Sequence, residues 1–259
     1  MVEFERIKET ADRLIKRLNE GGLRALDEAL NATGKTAATY RYTYDRYIQY
    51  FQDKPPQEDL TEQDLYVGFA MAYSWMATIK QLDPRIDTIQ TAVSALSRLR
   101  RLRPSDVEVE ASTAARISPE QAAEIGTMIE PVRQFLSSVI GTSKLLHFVN
   151  PDVFPIWDSV IHKFCDSLKQ TRASDSLNRY VEYTFNIHML TNHADFDTLI
   201  YAPLTDALER DHQAFSDVYR KPERMGKVRA TEFIMFFGGK VSRLTEPGYL
   251  KRRSRVKSH

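Results

Sequence analysis

Three observations predict an all-α, multi-helix globular protein. Apolar residues recur at helical spacing along most of the chain, as on one face of a helix. Alternation of apolar and polar residues, which is typical of a strand, never continues beyond four residues. A hydrophobic fraction of 42% and a charged fraction of 27%, over 259 residues, are ordinary for a globular protein with a sizeable core.

Five helices are predicted in the first part of the chain, at Glu3–Asn19, Leu23–Leu30, Thr36–Phe51, Leu65–Leu82 and Asp83–Arg103. Gly21-Gly22 is expected to separate the first two, and Thr61 to begin the fourth as its cap. The fourth is apolar nearly all round, so we expect it among the most buried helices. The polar, aperiodic segment 104–117 predicts a loop between an N-terminal helical subdomain, 1–103, and a second one, 118–259.

The second part of the chain is also predicted to be helical, at Ser118–Ile140, in a short segment ending before Asn150, and at Ser159–Leu168, Leu177–Leu190, Phe196–Tyr201, Leu204–Tyr219 and Ala230–Phe237. Ser118 begins the first of these as its cap, with Pro119 next and Gln121 at the capping-box position. Gly238-Gly239 is expected to end the last.

A helical hairpin is predicted around Gly141, which follows an apolar run and is expected to end a helix in a left-handed conformation. Thr142 or Ser143 then caps the next helix, so that Lys144 lies in its first turn. Asn150-Pro151 ends this second helix, because the residue before a proline disfavours the helical conformation.

An apolar, proline-containing connector, Val153–Trp157, follows the hairpin and leads to Asp158. Asp158 is expected to begin the next helix as its N-cap. The sequence therefore predicts a lysine near the head of one helix and an aspartate at the head of the next.

These features resemble the helix-hairpin-helix (HhH-GPD-like) DNA glycosylase superfamily over roughly residues 132 to 164. The resemblance implies an enzyme that excises a damaged or modified base from DNA, in repair or antiviral defence, without a cofactor. Lys144 matches the Schiff-base lysine of the bifunctional members, and Asp158 matches the catalytic aspartate. Gly141, Thr142 and Ser143 match the turn whose backbone amides hold DNA phosphate. The turn has one glycine where the family usually has two.

Other residues are candidates for contact with double-stranded DNA. Arg98, Arg100 and Arg101 lie in one arginine cluster, and Arg252 and Arg253 lie in a tail with five positive charges between residues 251 and 257. Such runs bind phosphate in some proteins and are solvated surfaces in more of them.

Two aromatic residues of the connector, Phe154 and Trp157, are candidates for a pocket that holds the extruded base. Large aromatic side chains in an apolar segment are core residues more often than ligand contacts, and we favour the core interpretation.

Several other kinds of chemistry lack a pattern in this sequence. No CxxC, HExxH or glycine-rich phosphate loop occurs, and Asp158 with His162 makes only half a metal site. Cys165 is the sole cysteine, so an intramolecular disulfide is impossible. No signal-peptide pattern and no apolar run near the ~20 residues of a membrane span occur. We therefore expect a cytoplasmic protein.

Two alternatives to a glycosylase remain open. The chain could be a non-catalytic helical module that binds DNA or another protein. It could also be a helical protein without any nucleic-acid role, in which Asp158 is only a cap and Lys144 only a solvated charge. Whether these two side chains face one cleft distinguishes the alternatives.

Overall fold

The computed structural model describes residues 2–31, 37–76, 82–107, 118–165, 176–214 and 225–244. Its helices are α1 Phe4–Asn31, α2 Ala37–Gln52, α3 Glu62–Ser74, α4 Ile86–Arg100, α5 Pro119–Leu136, α6 Val139–Val149, α7 Ser159–Cys165, α8 Leu177–Thr191, α9 Ala202–Ala214 and α10 Lys227–Leu244. The predicted all-α class is confirmed over these ranges, which contain no strand. Within them, no helix is long and apolar enough to cross a membrane.

Helix α6 lies at the centre of the fold and contacts α2, α3, α4, α5 and α8. Every residue of α6 is buried except Ile140, which is partly exposed. Helix α3, predicted to be apolar nearly all round and among the most buried helices, buries one face and exposes Tyr66 and Ala70. It also ends at Ser74 rather than Leu82, because Trp75 leaves the helical conformation with φ −96° and ψ 8°.

Two glycine pairs that were predicted to end helices lie inside them. Helix α1 continues through Gly21-Gly22, and α10 continues through Gly238-Gly239. A glycine inside a helix costs only about 1 kcal/mol relative to alanine, which tertiary packing exceeds. At Gly238 the packing also requires a small residue, because a Cβ atom there would collide with the Thr10 side chain of α1.

Contacts join the two predicted subdomains directly. Helix α1 packs on α9 and α10, and α4 packs on α5. The buried apolar residues on both sides of the predicted boundary belong to one hydrophobic cluster. The division at 104–117 stays a prediction, and residues 108–117 lie outside the described ranges.

The start of α3 is fixed by Asp64, whose carboxylate is buried. It accepts hydrogen bonds from the Thr61 backbone N–H at 2.8 Å and the Tyr50 hydroxyl at 2.7 Å. The Lys54 ammonium lies 2.8 Å from it. Burial alone would raise the pKa of the Asp64 carboxyl, but the lysine and these hydrogen bonds lower it from 3.8 to about 2.

We expect Asp64→Ala to lower the free energy of unfolding by about 2 kcal/mol at pH 7, which corresponds to this pKa difference. The folded pKa lies below the unfolded one, so the stabilisation is present above about pH 4 and is lost as the pH falls through about 2. Urea unfolding of the variant and the wild type at several pH values measures it. The exposed Asp53, changed to alanine, is the matched control. An Asp64→Ala loss that is equal at pH 2 and pH 7 would contradict this assignment.

Candidate functional site

The turn between α5 and α6 lies at Ser137 and Ser138, so the prediction of a turn at Gly141–Ser143 is wrong. Ser137 adopts a left-handed conformation with φ 50°, which is uncommon for a residue other than glycine. The Ser138 side chain caps α6 by accepting the Gly141 backbone N–H at 3.1 Å. Gly141 lies within α6, where a Cβ atom would be in contact with Tyr73 and Met76.

Thr142 and Ser143, which were expected to cap α6 and contact DNA, are fully buried inside it. The Thr142 hydroxyl donates to the Ser138 carbonyl at 2.7 Å. The Ser143 hydroxyl accepts the Trp157 backbone N–H at 3.0 Å and lies 3.1 Å from the Trp157 carbonyl, to which it can donate. Ser143 therefore ties α6 to the connector.

Lys144 lies in the second turn of α6, so the prediction of a first-turn lysine is also wrong. Its side chain is only 6% exposed, and its Nζ atom donates to the Trp75 carbonyl at 2.7 Å. This carbonyl belongs to the C-cap of α3, where a cation is favourable. The amine therefore has a structural role in joining α6 to the end of α3.

Asp158 begins α7 as its cap, as predicted. Its Oδ1 atom accepts the backbone N–H groups of Val160 at 2.7 Å and Ile161 at 2.9 Å. No residue of the described ranges donates to Oδ2, and the residue is partly exposed. Within the described ranges, no direct contact joins Asp158 to Lys144, since the amine lies at the end of α3 and the carboxylate at the start of α7.

Each residue of the connector Val153–Trp157 has a backbone polar group that is hydrogen-bonded to a buried side chain. The pairs are Val153 with His188, Phe154 with His147, Pro155 with Tyr180, Ile156 with Glu232 and Trp157 with Ser143. The partners come from α6, α8 and α10. Because buried backbone groups need partners, these side chains fix the path of the segment that ends at Asp158.

His147 is fully buried and neutral. Its Nδ1 atom lies 2.8 Å from the Phe154 carbonyl, which can only accept, so Nδ1 carries the proton. Nε2 then accepts the Tyr44 hydroxyl at 2.7 Å. Burial and, to a smaller extent, the positive charge of Arg229 lower the pKa of His147 to about 3.

Glu232 is a fully buried carboxylate in the centre of this network. One oxygen accepts the Ile156 backbone N–H and lies 3.3 Å from His147 Nδ1, and the other lies 2.8 Å from Arg229 Nη1. The Arg229 guanidinium stacks 4.6 Å from the centre of the Tyr44 ring. Burial raises the pKa of Glu232 to about 7 although Arg229 opposes this change.

Sequence analysis missed this network of Tyr44, His147, Arg229 and Glu232. A charged residue inside the apolar segment 228–237 was the signal for Glu232, because a buried carboxylate needs partners. Arg229 precedes it at the helical spacing that brings two side chains together.

The aromatic residues of the connector lie in the core. Phe154 is 0% exposed and Trp157 is 3% exposed. The Trp157 ring packs against the rings of His162 and Tyr183 at centroid distances of 5.3 and 4.8 Å. This burial agrees with the core interpretation of both residues.

The predicted arginine contacts fall into three groups. Arg100 donates to the Phe51 and Lys54 carbonyls around the end of α2. Arg101 donates to the Gln57 carbonyl and pairs with Asp59 at 2.6 Å, both in the segment that follows α2. Arg98 is exposed on α4. Arg252 and Arg253 lie outside the described residues.

No group of three or more His, Cys, Asp or Glu side chains in the described residues is placed to hold a metal ion. A scan against models of protein families and searches of curated proteins and of solved structures found no match. The site is therefore interpreted from the geometry of this chain.

Proposed function

We propose that this chain is a DNA glycosylase that excises a damaged or modified base, with Asp158 as its catalytic carboxylate. One observation carries the proposal: Asp158 is partly exposed, its Oδ2 receives no hydrogen bond from the described residues, and it ends a connector fixed at every residue. A catalytic group must be held in place by its supporting residues while keeping an atom available for the substrate.

The proposed reaction begins with extrusion of the target nucleotide from the duplex. The bond between C1′ and the base nitrogen breaks, its electron pair leaves with the base, and the sugar becomes an oxocarbenium-like cation. The Asp158 carboxylate stabilises this positive charge. Water then adds at C1′ and gives up a proton, a proton neutralises the departed base, and an abasic site remains.

The position of the Lys144 amine favours hydrolysis over Schiff-base chemistry. A nucleophilic lysine must reach C1′ with an unprotonated amine. The Lys144 amine is buried and donates to the Trp75 carbonyl instead. We therefore propose a monofunctional enzyme, although the resemblance matches Lys144 to the lysine of bifunctional members.

The proposed DNA contact moves away from Gly141–Ser143, which are buried. Arg98, exposed on α4, and Ser137, exposed at the turn before α6, are the candidates for phosphate contact.

A panel of duplexes that each carry one modified base tests this proposal. Each duplex is incubated with the wild type, and abasic sites are then revealed as strand breaks by alkali. We expect alkali-dependent breaks for at least one base and no borohydride-trapped protein–DNA adduct. A trapped adduct that Lys144→Gln removes would show Schiff-base chemistry instead. No excision across a broad panel would contradict the glycosylase proposal.

A non-catalytic DNA-binding module is the second candidate function. It is favoured by the internal contact of the Lys144 amine with the Trp75 carbonyl, which removes one of the two candidate catalytic groups. This module would bind duplex DNA and leave every base of the panel in place.

We expect both candidates to bind duplex DNA with an affinity that falls steeply as salt rises, because phosphate contacts release counterions. Removal of residues 251–259, which carry five positive charges, should reduce the slope of log Kd against log salt concentration. Each lost phosphate contact accounts for about 0.9 of that slope. Fluorescence anisotropy between 50 and 300 mM salt measures it, and Lys16→Ala, at an exposed lysine of α1, is the control. A Kd for duplex DNA that does not change with salt concentration would exclude binding through phosphate contacts.

A further inference from the structure

Among the buried side chains of the described residues that hold the connector, Glu232 is the only acidic one. It reaches from α10 to the backbone N–H of Ile156, two residues before Asp158. A neutral acceptor would satisfy this N–H at a smaller desolvation cost, since a buried carboxylate must be paired to be tolerated. The charge of Glu232 therefore calls for an explanation beyond backbone pairing.

The structure assigns Glu232 the role of a positioning residue for Asp158, which it exerts through the Ile156 N–H and which depends on its own protonation state. This inference rests on the proposed function, because it concerns the carboxylate that we place at the sugar. Glu232 touches no substrate in this scheme. It acts only through the connector and through its charge.

The groups whose charge bears on Glu232 come from every side of the network. They are Tyr44 of α2, His147 of α6, Asp158 at the end of the connector, Tyr180 and Tyr183 of α8, and Arg229 of α10. Burial raises the pKa of each of the three tyrosines and lowers the pKa of His147 to about 3. Between pH 5 and pH 9 the tyrosines and His147 thus stay neutral, and Arg229 stays charged.

Glu232 is the member of this network that changes charge near neutral pH, since burial raises its pKa to about 7. Above that pH the carboxylate accepts the Ile156 N–H in a charge-assisted hydrogen bond, which is stronger than a neutral one. Its negative charge also adds to that of Asp158 and favours a cationic sugar. Ionised Glu232 should therefore fix the connector more firmly and accelerate excision.

The first test needs no substrate. Wild type with ¹⁵N-labelled isoleucine is titrated from pH 5.5 to 8.5, and the amide signal of Ile156 is assigned by Ile156→Val. We expect its chemical shift to follow one proton with a midpoint near 7, where Glu232 ionises. Glu232→Gln, which keeps an acceptor oxygen, should retain the folded spectrum and remove this titration, while Glu124→Gln, at an exposed glutamate of α5, should not.

A flat Ile156 signal in the wild type, or the same titration in Glu232→Gln, would overturn the inference. Either result would show that the carboxylate does not control the connector near neutral pH.

The second test uses single-turnover excision on the duplex that the panel identifies. The excision rate of the wild type should rise as the pH passes through about 7. At pH 8 the excision rate of Glu232→Gln should be about tenfold below that of the wild type, with an unchanged Kd for DNA. Equal pH profiles in both proteins would overturn the positioning role and leave the glycosylase proposal intact. Absence of excision by the wild type would overturn the proposed function and the catalytic part of this inference. The titration of the Ile156 amide would then still test, independently of excision, whether Glu232 controls the connector.

Discussion

Asp158→Asn should reduce base excision by at least about 100-fold, the size of effect seen when a group that stabilises transition-state charge is removed. The asparagine side-chain oxygen can still accept the N–H groups of Val160 and Ile161, so the start of α7 is retained. What changes is the negative charge and the Oδ2 atom, to which no residue of the described ranges donates. Single-turnover excision on the best duplex of the panel measures the effect.

Two further variants separate the chemistry of Asp158 from its role as a cap. Asp152→Asn changes an exposed aspartate before the connector and should leave excision unchanged. Asp158→Ala also removes the cap and should lower the free energy of unfolding by about 1 kcal/mol more than Asp158→Asn. If Asp158→Asn excises bases at the wild-type rate while binding DNA equally well, the carboxylate is only a cap.

Phe154→Ala should lower the free energy of unfolding by about 3 to 5 kcal/mol, because it opens a cavity around a side chain that is 0% exposed. For a chain of this length the melting temperature should fall by roughly 6 to 20 °C. Thermal unfolding followed by circular dichroism measures it.

Tyr66→Ala, at a residue that is 37% exposed, is the control and should change stability much less. A Phe154→Ala variant with nearly wild-type stability and a specific loss of excision would instead place this ring in a base pocket.

Local signals predicted several helix boundaries well. Ser118 caps α5 with its side chain accepting the Gln121 N–H, and α8 begins at Leu177, as the sequence predicts. These features depend on neighbouring residues only. Glycine pairs were poor predictors of helix ends, because their effect of about 1 kcal/mol is smaller than the packing of α1 on α10. The turn at Ser137 was missed because the left-handed residue there is not a glycine.

In the candidate site too, contacts between neighbouring residues could be predicted from the sequence, whereas contacts between residues far apart in sequence could not. Asp158 could be predicted as a cap because its partners, Val160 and Ile161, follow it directly. The partners that fix the connector lie far away in sequence, as with Glu232 and Ile156. Lys144 was expected to be exposed, because the sequence does not show that its amine meets the Trp75 carbonyl across the core.

The central claim, that the Asp158 carboxylate faces a cationic sugar, can be tested without knowing the excised base. The measurement compares the Kd of the wild type for two duplexes, one with a cationic pyrrolidine in place of a nucleoside and one with a neutral tetrahydrofuran. A site that is complementary to the transition state should bind the cationic duplex at least about 100-fold more tightly than the neutral one. We predict that Asp158→Asn removes this preference and that Asp152→Asn keeps it. Equal affinities of the wild type for the two duplexes would contradict the account.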